Sequence, residues 1–454
     1  MSMLSGIIRT VLAVVVALVV LVPCTALGAG FALIEQGVSG LGNAYAGGSA
    51  IAEDATTVFF NPAGLMRLQG QQFIAAAHIV IPSAKFHNDG STQLLQPRTG
   101  VPLLGDNGGE GGQTKVVPNL YYSIKISDRL AAGIGINAPF GLGTKYDDTW
   151  VGRYYAIKSD VLTVNINPSV AYRIGDHLTV GAGISAQYLE AELSNAIDFG
   201  TIDAVGGFGL PPGTFKLTPQ GSDGYVDLKG HSWAFGFNAG LLYEFTPNTR
   251  VGVAYRSSVK QELKGTAYFS SVPASLSVLP AFKNSTVYSD IRLPQSLSVS
   301  FAHSFNPQWT VMADFTWTDW SVFRELRINF QNPFQPASVT TENWQDNYRY
   351  SIGATFRPTE QWALRAGVAY DTSATSSEEY RTPRIPDSYR TWLAVGAGYK
   401  FSKMFSADIG YAHIFVSDPA INKNPVGEDA LRGGLKGTFD AHINIVSAQL
   451  NVNF

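Results

Sequence analysis

The chain has 454 residues and a formal charge of −3, from 32 Lys and Arg against 35 Asp and Glu, with no basic run of the kind that binds nucleic acid. Charged residues are 15% of the total, against about 25% in ordinary soluble proteins, while 26 Phe, 20 Tyr, 8 Trp and 46 Gly are present. So few charges exclude an ordinary water-facing surface, and no linker or shift of composition after residue 68 divides the chain into several soluble domains.

Residues 1–28 have the layout of a secretory signal: Arg9, an unbroken apolar run from Val11 to Val22, then small residues. The run is too short for a spanning helix, which needs roughly 20 residues. Cleavage after Gly28 leaves Ala29 as the mature N-terminus, with cleavage after Ala26 as the alternative. Either removes the one cysteine, Cys24, whose lipidation is disfavoured by Pro23, so the mature chain carries no disulfide or Cys-based metal site.

Residues 29–68 are rich in Gly and Ala and follow neither a strand nor a long helix period. Ordering so much glycine is entropically costly, and Phe31, Leu33, Val58, Phe59, Phe60 and Leu65 need an enclosing wall. This stretch is therefore expected to be a plug. Within it Asn61-Pro62-Ala63 reads locally as a helix start, with Asn as the cap and Pro in the first turn.

From residue 69 to 454 apolar and polar residues alternate. Val446, Ala448, Leu450, Val452 and Phe454 oppose Ser447, Gln449, Asn451 and Asn453 over nine positions, close to the 9–11 that a tilted strand needs to cross a bilayer. Tyr348 to Phe356, Trp362 to Tyr370 and Trp233 to Tyr243 behave alike, with aromatics at the ends of the apolar faces as interfacial girdles require. Six short turns, at residues 127–128, 175–176, 246–248, 306–307, 358–359 and 402–403, alternate with long polar or Gly/Pro-rich segments. They divide the region into seven hairpins. The expected fold is all-β: a fourteen-stranded antiparallel transmembrane β-barrel plugged by a small N-terminal hatch, with the C-terminus on the short-turn, periplasmic side. One interruption stands out in Asn137-Ala138-Pro139-Phe140-Gly141, where Pro139 cannot donate to a ladder and Gly141 weakens one, so the third strand must kink, bulge or open. The loops at 199–224 and 270–286 carry an apolar load, including Leu276, Leu279 and Phe282, that either packs on itself or presents a groove.

Four stretches together resemble the FadL family of outer-membrane transporters for hydrophobic compounds, which includes TodX-like members: AGFALIEQGVSGLGNAYAGGSAIAEDATTVFFNPAG in the plug, NAPFGLGTKYDDTWVGRYYA at 137–156, WAFGFNAGLLYEFTPNTRVGVAYRS at 233–257 and YRTPRIPDSYRTWLAVGAGY at 380–399. The resemblance covers essentially the whole mature chain. It implies a bacterial outer-membrane channel that takes up long-chain fatty acids or aromatic or aliphatic hydrocarbons by passive diffusion, releasing them sideways into the bilayer through a kink in strand three. It further implies ligand contacts at Phe31 in the lumen, Phe140 beside the kink, and Leu276, Leu279 and Phe282 in a capture site, with gating at Asn61, Pro62, Ala63, Asn137, Pro139 and Gly141. Alternation puts Arg173, Arg256, Arg349, Arg357, Arg365, Asp371 and Lys400 on the lumen face, and Arg365 is the cation assigned to a ligand carboxylate. Residues 191–198, AELSNAID, offer no basic residue for that task.

No dinucleotide, GxSxG or HExxH motif occurs and the seven His lack metal-ligand spacing, so neither enzyme activity nor a metal or cofactor is expected. A barrel lipase or esterase, or an adhesin, shares the wall and is the alternative. Expected partners are the hydrophobic ligand, outer-membrane lipid and lipopolysaccharide, and the barrel-assembly machinery through Phe454; a monomer without nucleic acid is expected.

Overall fold

A computed structural model describes residues 30–454. The signal segment, its cleavage site, Cys24 and Ala29 lie outside the described residues. Alternation is realised as a wall of fourteen strands, several of them broken into two ladder segments. These are β1 (Gln71–Asn88), β2 (Lys115–Lys125), β3 (Leu130–Asn137 and Gly141–Lys145), β4 (Lys158–Ile174), β5 (Leu178–Asp198), β6 (Asp223–Thr246) and β7 (Thr249–Arg256 and Val259–Ser270). The others are β8 (Ser285–Leu293 and Ser296–Ser304), β9 (Trp309–Thr318 and Glu325–Phe330), β10 (Ser338–Thr341 and Asn347–Phe356), β11 (Trp362–Asp371), β12 (Arg390–Lys400), β13 (Phe405–Val416 and Ala420–Asn422) and β14 (Lys436–Asn453).

Each strand pairs antiparallel with the next, and β1 closes on β14 from Gln72↔Asn453 to Asn88↔Gly437. Closure is what hydrocarbon demands, since an unpaired backbone group costs several kcal/mol there. The two faces divide as the sequence predicts: on β14, Val446 and Leu450 are exposed while Ser447 and Gln449 are buried. Ile352, Ile409 and Phe235 are 66%, 63% and 74% exposed, values a water-soluble sheet would not tolerate at so many apolar positions.

Residues 30–68 lie inside the wall, and none of them is exposed. They fold as α1 (Val38–Leu41), α2 (Gly48–Ile51), α3 (Thr57–Phe60) and a 3-10 turn over Pro62–Arg67. Such short helices gain little from their own hydrogen bonds; the wall holds them. The hatch is tied to β2 by Asn119 Nδ2 donating to the Glu35 carbonyl (2.8 Å) and to β6 by Asn61 Nδ2 donating to the Leu241 carbonyl (3.0 Å). On the far side Ser49 N donates to Ser300 Oγ on β8 (2.9 Å), Asn43 Nδ2 to Thr355 Oγ1 on β10 (3.2 Å), and Val38 N to Gln449 Oε1 on β14 (2.8 Å). Contacts to strands all around the ring make it an enclosed plug.

Close approach explains some of the glycine. A Cβ on Gly396 of β12 would lie 2.9 Å from the Gly42 Cα, and one on Gly353 of β10 would lie 2.7 Å from the Asn43 carbonyl oxygen. Backbone meets backbone at both places. We expect Gly396→Val to leave a heat-modifiable barrel but to weaken hatch docking by about 1–3 kcal/mol, the usual cost of overpacking. Faster amide exchange confined to residues 38–60 checks this, and wild-type exchange there overturns it.

Candidate functional site

The kink expected at Pro139 is present, and what fills it is the hatch. Pairing of β2 with β3 stops at Leu120↔Ile136, leaving Lys115–Asn119 of β2 with no partner on that side. On the other side β3 stays attached to β4, through Asn137↔Asn165 and then Gly141↔Leu162, so one residue bulges where the proline sits. The first hatch residues supply the missing edge: Leu33 N donates to the Pro139 carbonyl (2.8 Å), Gly141 N donates to the Phe31 carbonyl (2.9 Å), and Ala32 bridges Phe140 antiparallel. Gln36 Nε2 adds a bond to the Ala138 carbonyl (2.8 Å), while Asn137 Nδ2 reaches across the gap to Tyr121 Oη (3.3 Å).

Behind this edge is a lumen cavity of about 160 Å³. Pro139 and Phe140 form one side, Tyr45, Phe59, Phe60 and Pro62 of the hatch another, and Trp320, Arg256 and Arg349 the remainder. Phe31 stands behind it rather than in it: its ring lies 5.9 Å from that of Phe140 and 4.8 Å from that of Trp320, with Phe323 and Trp344 next in the same cluster. The polar rim is unevenly satisfied. Asp314 accepts from Ser298 Oγ and Thr316 Oγ1 (2.9 and 2.8 Å), and Arg349 pairs with Asp371 (3.1 Å) while donating to the Ala44 carbonyl of the hatch (2.8 Å). Arg256 has no carboxylate partner among the described residues. It donates to the Phe59 carbonyl (2.9 Å), and its guanidinium lies 4.1 Å from the Phe59 ring centroid. Nearby, the fully buried Glu35 carboxyl finds no donor, and burial pushes it up to about 7 against the pull of Arg349 and Arg390.

Asn61-Pro62-Ala63 takes the local form expected of it. Asn61 Oδ1 accepts from Ala63 N (3.0 Å), and Asn61 Nδ2 donates to the Ser49 carbonyl (2.6 Å) as well as to the wall. Asn61 thus ties the last hatch turn to α2 and β6.

Arg365 is not at the cavity. It bridges Glu53 (3.1 Å) and Asp408 (2.8 Å), and with Arg357, which also pairs with Glu53, it lines an open vestibule of about 760 Å³ at the short-turn end. Its two carboxylates occupy it as a hatch bolt, and the structure does not bring it together with the other residues expected to meet ligand. The cavity cations are Arg256 and Arg349. Alternation put all of them on the lumen face, but their height relative to the hatch is set by the tertiary fold.

At the long-loop end both readings of the apolar loops hold. Leu276 is buried in a loop core with Phe199 and Ile202, whereas Leu279 and Phe282 line a groove of about 390 Å³ with Phe208, Phe330 and Phe334. Leu276 therefore supports the groove from beneath.

The family profile described as "Outer membrane protein transport protein (OMPP1/FadL/TodX)" matches residues 19–454. The chain is 32% identical to the long-chain fatty acid transport protein of Salmonella typhi, over 92% of this chain and 94% of that one. It is 30% identical to outer membrane protein P1 of Haemophilus influenzae, over 94% and 95%. In structure it is similar to a FadL homologue of Pseudomonas aeruginosa, with a TM-score of 0.84, 25% identity and coverage of 94% and 100%.

Burial alone would raise the Glu53 carboxyl, but Arg365 and Arg357 outweigh it and hold the group at about 2, below its ordinary 4.5. A carboxyl depressed on folding stabilises above its unfolded value and loses that contribution as pH falls through its folded one. Hatch docking should therefore weaken between about pH 4.5 and 2, and Glu53→Gln should show the weakened state already at neutral pH. Amide exchange of residues 49–60, followed against pH in both proteins, checks this.

Proposed function

Because the chain belongs to the OMPP1/FadL/TodX family and is an outer-membrane transporter of hydrophobic compounds, we propose that it passes amphiphiles with an anionic head and an apolar tail by passive diffusion. The ligand enters at the loop groove, where Leu279 and Phe282 offer apolar surface over the buried Leu276. It then moves to the lumen cavity, with its carboxylate at Arg256 and its chain against Phe140 and Trp320. Release is sideways, through the gap between β2 and β3, once hatch residues 31–36 detach from Pro139 and Gly141.

The observation that carries this reading is the substitution of hatch for wall at the kink. Two main-chain bonds, Leu33 N to the Pro139 carbonyl and Gly141 N to the Phe31 carbonyl, and one side-chain bond, Gln36 Nε2 to the Ala138 carbonyl, close the gap. Movement of the hatch and opening of the wall are thereby one event. A greasy tail gains roughly 25 cal/mol for each Å² of apolar surface kept from water, which favours exit into the membrane over exit into the periplasm. Asn61, Pro62 and Ala63 serve the gate as its fixed anchor, because they join the last hatch turn to α2 and β6 and hold it while residues 31–36 move. Arg256 favours an acid over a neutral hydrocarbon: it is a cation at the cavity with no carboxylate partner among the described residues, and charge-assisted bonds to a carboxylate are about twice as strong as neutral ones.

Deletion of Ala138–Leu142 should lower uptake of a long-chain fatty acid to a small fraction of wild type in a correctly assembled, heat-modifiable barrel; unchanged uptake refutes lateral release. Arg256→Met should weaken fatty-acid binding by about 1.5–3 kcal/mol, the worth of a hydrogen bond to a charged group, and leave binding of an alkylbenzene unaltered. Equal loss of both ligands would mean that Arg256 shapes the cavity rather than reads the head group.

A further inference from the structure

The wall is interrupted at a second place that the proline signal does not mark. Pairing of β6 with β7 runs from Asn238↔Arg256 downward and from Tyr225↔Ser270 to His231↔Lys264 above, but Ser232–Phe237 has no ladder partner on β7. Across the seam the bonds are few: at the lower end Ser257 N donates to the Phe237 carbonyl (2.9 Å) and Ser257 Oγ accepts from Phe237 N (2.9 Å), and at the upper end Ser232 Oγ donates to Gln261 Oε1 (2.6 Å). The next strand is also loose. Upper β8 meets β9 at Val287↔Phe330 and Tyr288↔Asn329 and, just above, through Gln331 N to the Thr286 carbonyl (2.9 Å), so residues 289–294 lack a ladder partner on β9, while β7 and β8 remain paired from Val259↔Leu293 to Ala267↔Ser285. The upper β7–β8 hairpin is therefore a paddle. Its ladders break together at Ser257-Ser258 and Pro294-Gln295.

Two further features locate the paddle. Its outer face is charged, with Lys260 pairing with Glu262 and Asp290 (2.8 and 3.0 Å), which puts it at the level of lipid head groups. Just below, the outward side chains of the unpaired segment, Trp233 and Phe235, are 57% and 74% exposed. On the inside, Asn238, Arg256 and Pro294 flank the seam and also line the lumen cavity. That cavity has the size that accepts one benzene ring, roughly 150 Å³. A long acyl chain with its carboxylate at Arg256 must therefore leave the cavity somewhere.

We propose that the β6–β7 seam is a second lateral opening, a slot that takes the apolar tail of the amphiphile whose head is held by Arg256. This rests on the reading of Arg256 above. The β2–β3 gap is closed by hatch main chain; the seam is closed by side chains, Ser257 and Val259 against Gly236 and Ser232 on Gln261, with a single main-chain bond, at Phe237. Tail insertion parts Gly236 from Ser257, places methylenes against Trp233 and Phe235, and leaves the hatch in place.

The test uses a long-chain fatty acid with a terminal diazirine, photolysed on the intact protein in detergent and mapped by peptide mass spectrometry. The slot predicts label within residues 232–237 or 257–263. In Gly236→Cys/Ser257→Cys, a Cβ at residue 236 would lie 2.9 Å from the Ser257 Oγ, so a disulfide can staple the seam. The oxidised protein should lose that label and take up fatty acid severalfold more slowly, with both restored by reductant. Label confined to residues 138–142 or the hatch overturns the slot and leaves lateral release at the kink intact, as does equal uptake in oxidised and reduced protein. Absence of label anywhere in the lumen overturns both. Should the double variant fail to assemble, labelling of the unmodified protein decides.

Discussion

Hydrocarbon cannot hydrogen-bond, and the molecule is arranged around that fact. A sheet placed in lipid has to close on itself, and β1 meeting β14 over seventeen residue pairs does so. Where the wall fails to close by its own strands, something else supplies partners. At β3 it is the hatch main chain, and at β6–β7 it is Ser257 with neighbouring side chains. The places where substitution for the ladder is weakest are the places where passage of an apolar tail is proposed.

The hatch has almost no stability of its own. It consists of four-residue helices and glycine, and its position is fixed by side chains reaching inward from the wall. Arg349 holds the Ala44 carbonyl, Asn119 that of Glu35, and Arg250 that of Ala50 (2.8 Å). Glu53 is held at the short-turn end between Arg357 and Arg365. Holding a plug by many single bonds to side chains, rather than by a ladder, lets part of it move while the rest stays. The proposed route needs this, since residues 31–36 must leave Pro139 and Gly141 while α1 to α3 remain docked.

Much of this was legible in the residues. A two-residue period over a few hundred positions, aromatic ends and alternating short and long turns are strong local signals, and they give the strand count directly. Pro139 marked the first wall gap because a missing N–H is visible in sequence. The seam at Ser232–Phe237 was not visible, since Trp233, Phe235 and Phe237 keep perfect alternation through it; alternation reports which way side chains point, not whether the edge has a neighbour. The heights of the cations were not legible for a related reason. Arg256 and Arg365 share a face, and only the packing of the hatch decides that one meets a cavity and the other two carboxylates. Leu276 and Leu279 are three residues apart in one loop, and their division between core and groove depends on how the loops at 199–224 and 270–286 stack.

The edge formed by residues 31–33 has a consequence for the cell. Those amides satisfy the interrupted strand only while no guest lies there, and a departing guest leaves nothing behind to compete with them. On the proposed route the gap is therefore closed again by the same bonds once the guest has left, with no need of nucleotide or ion gradient.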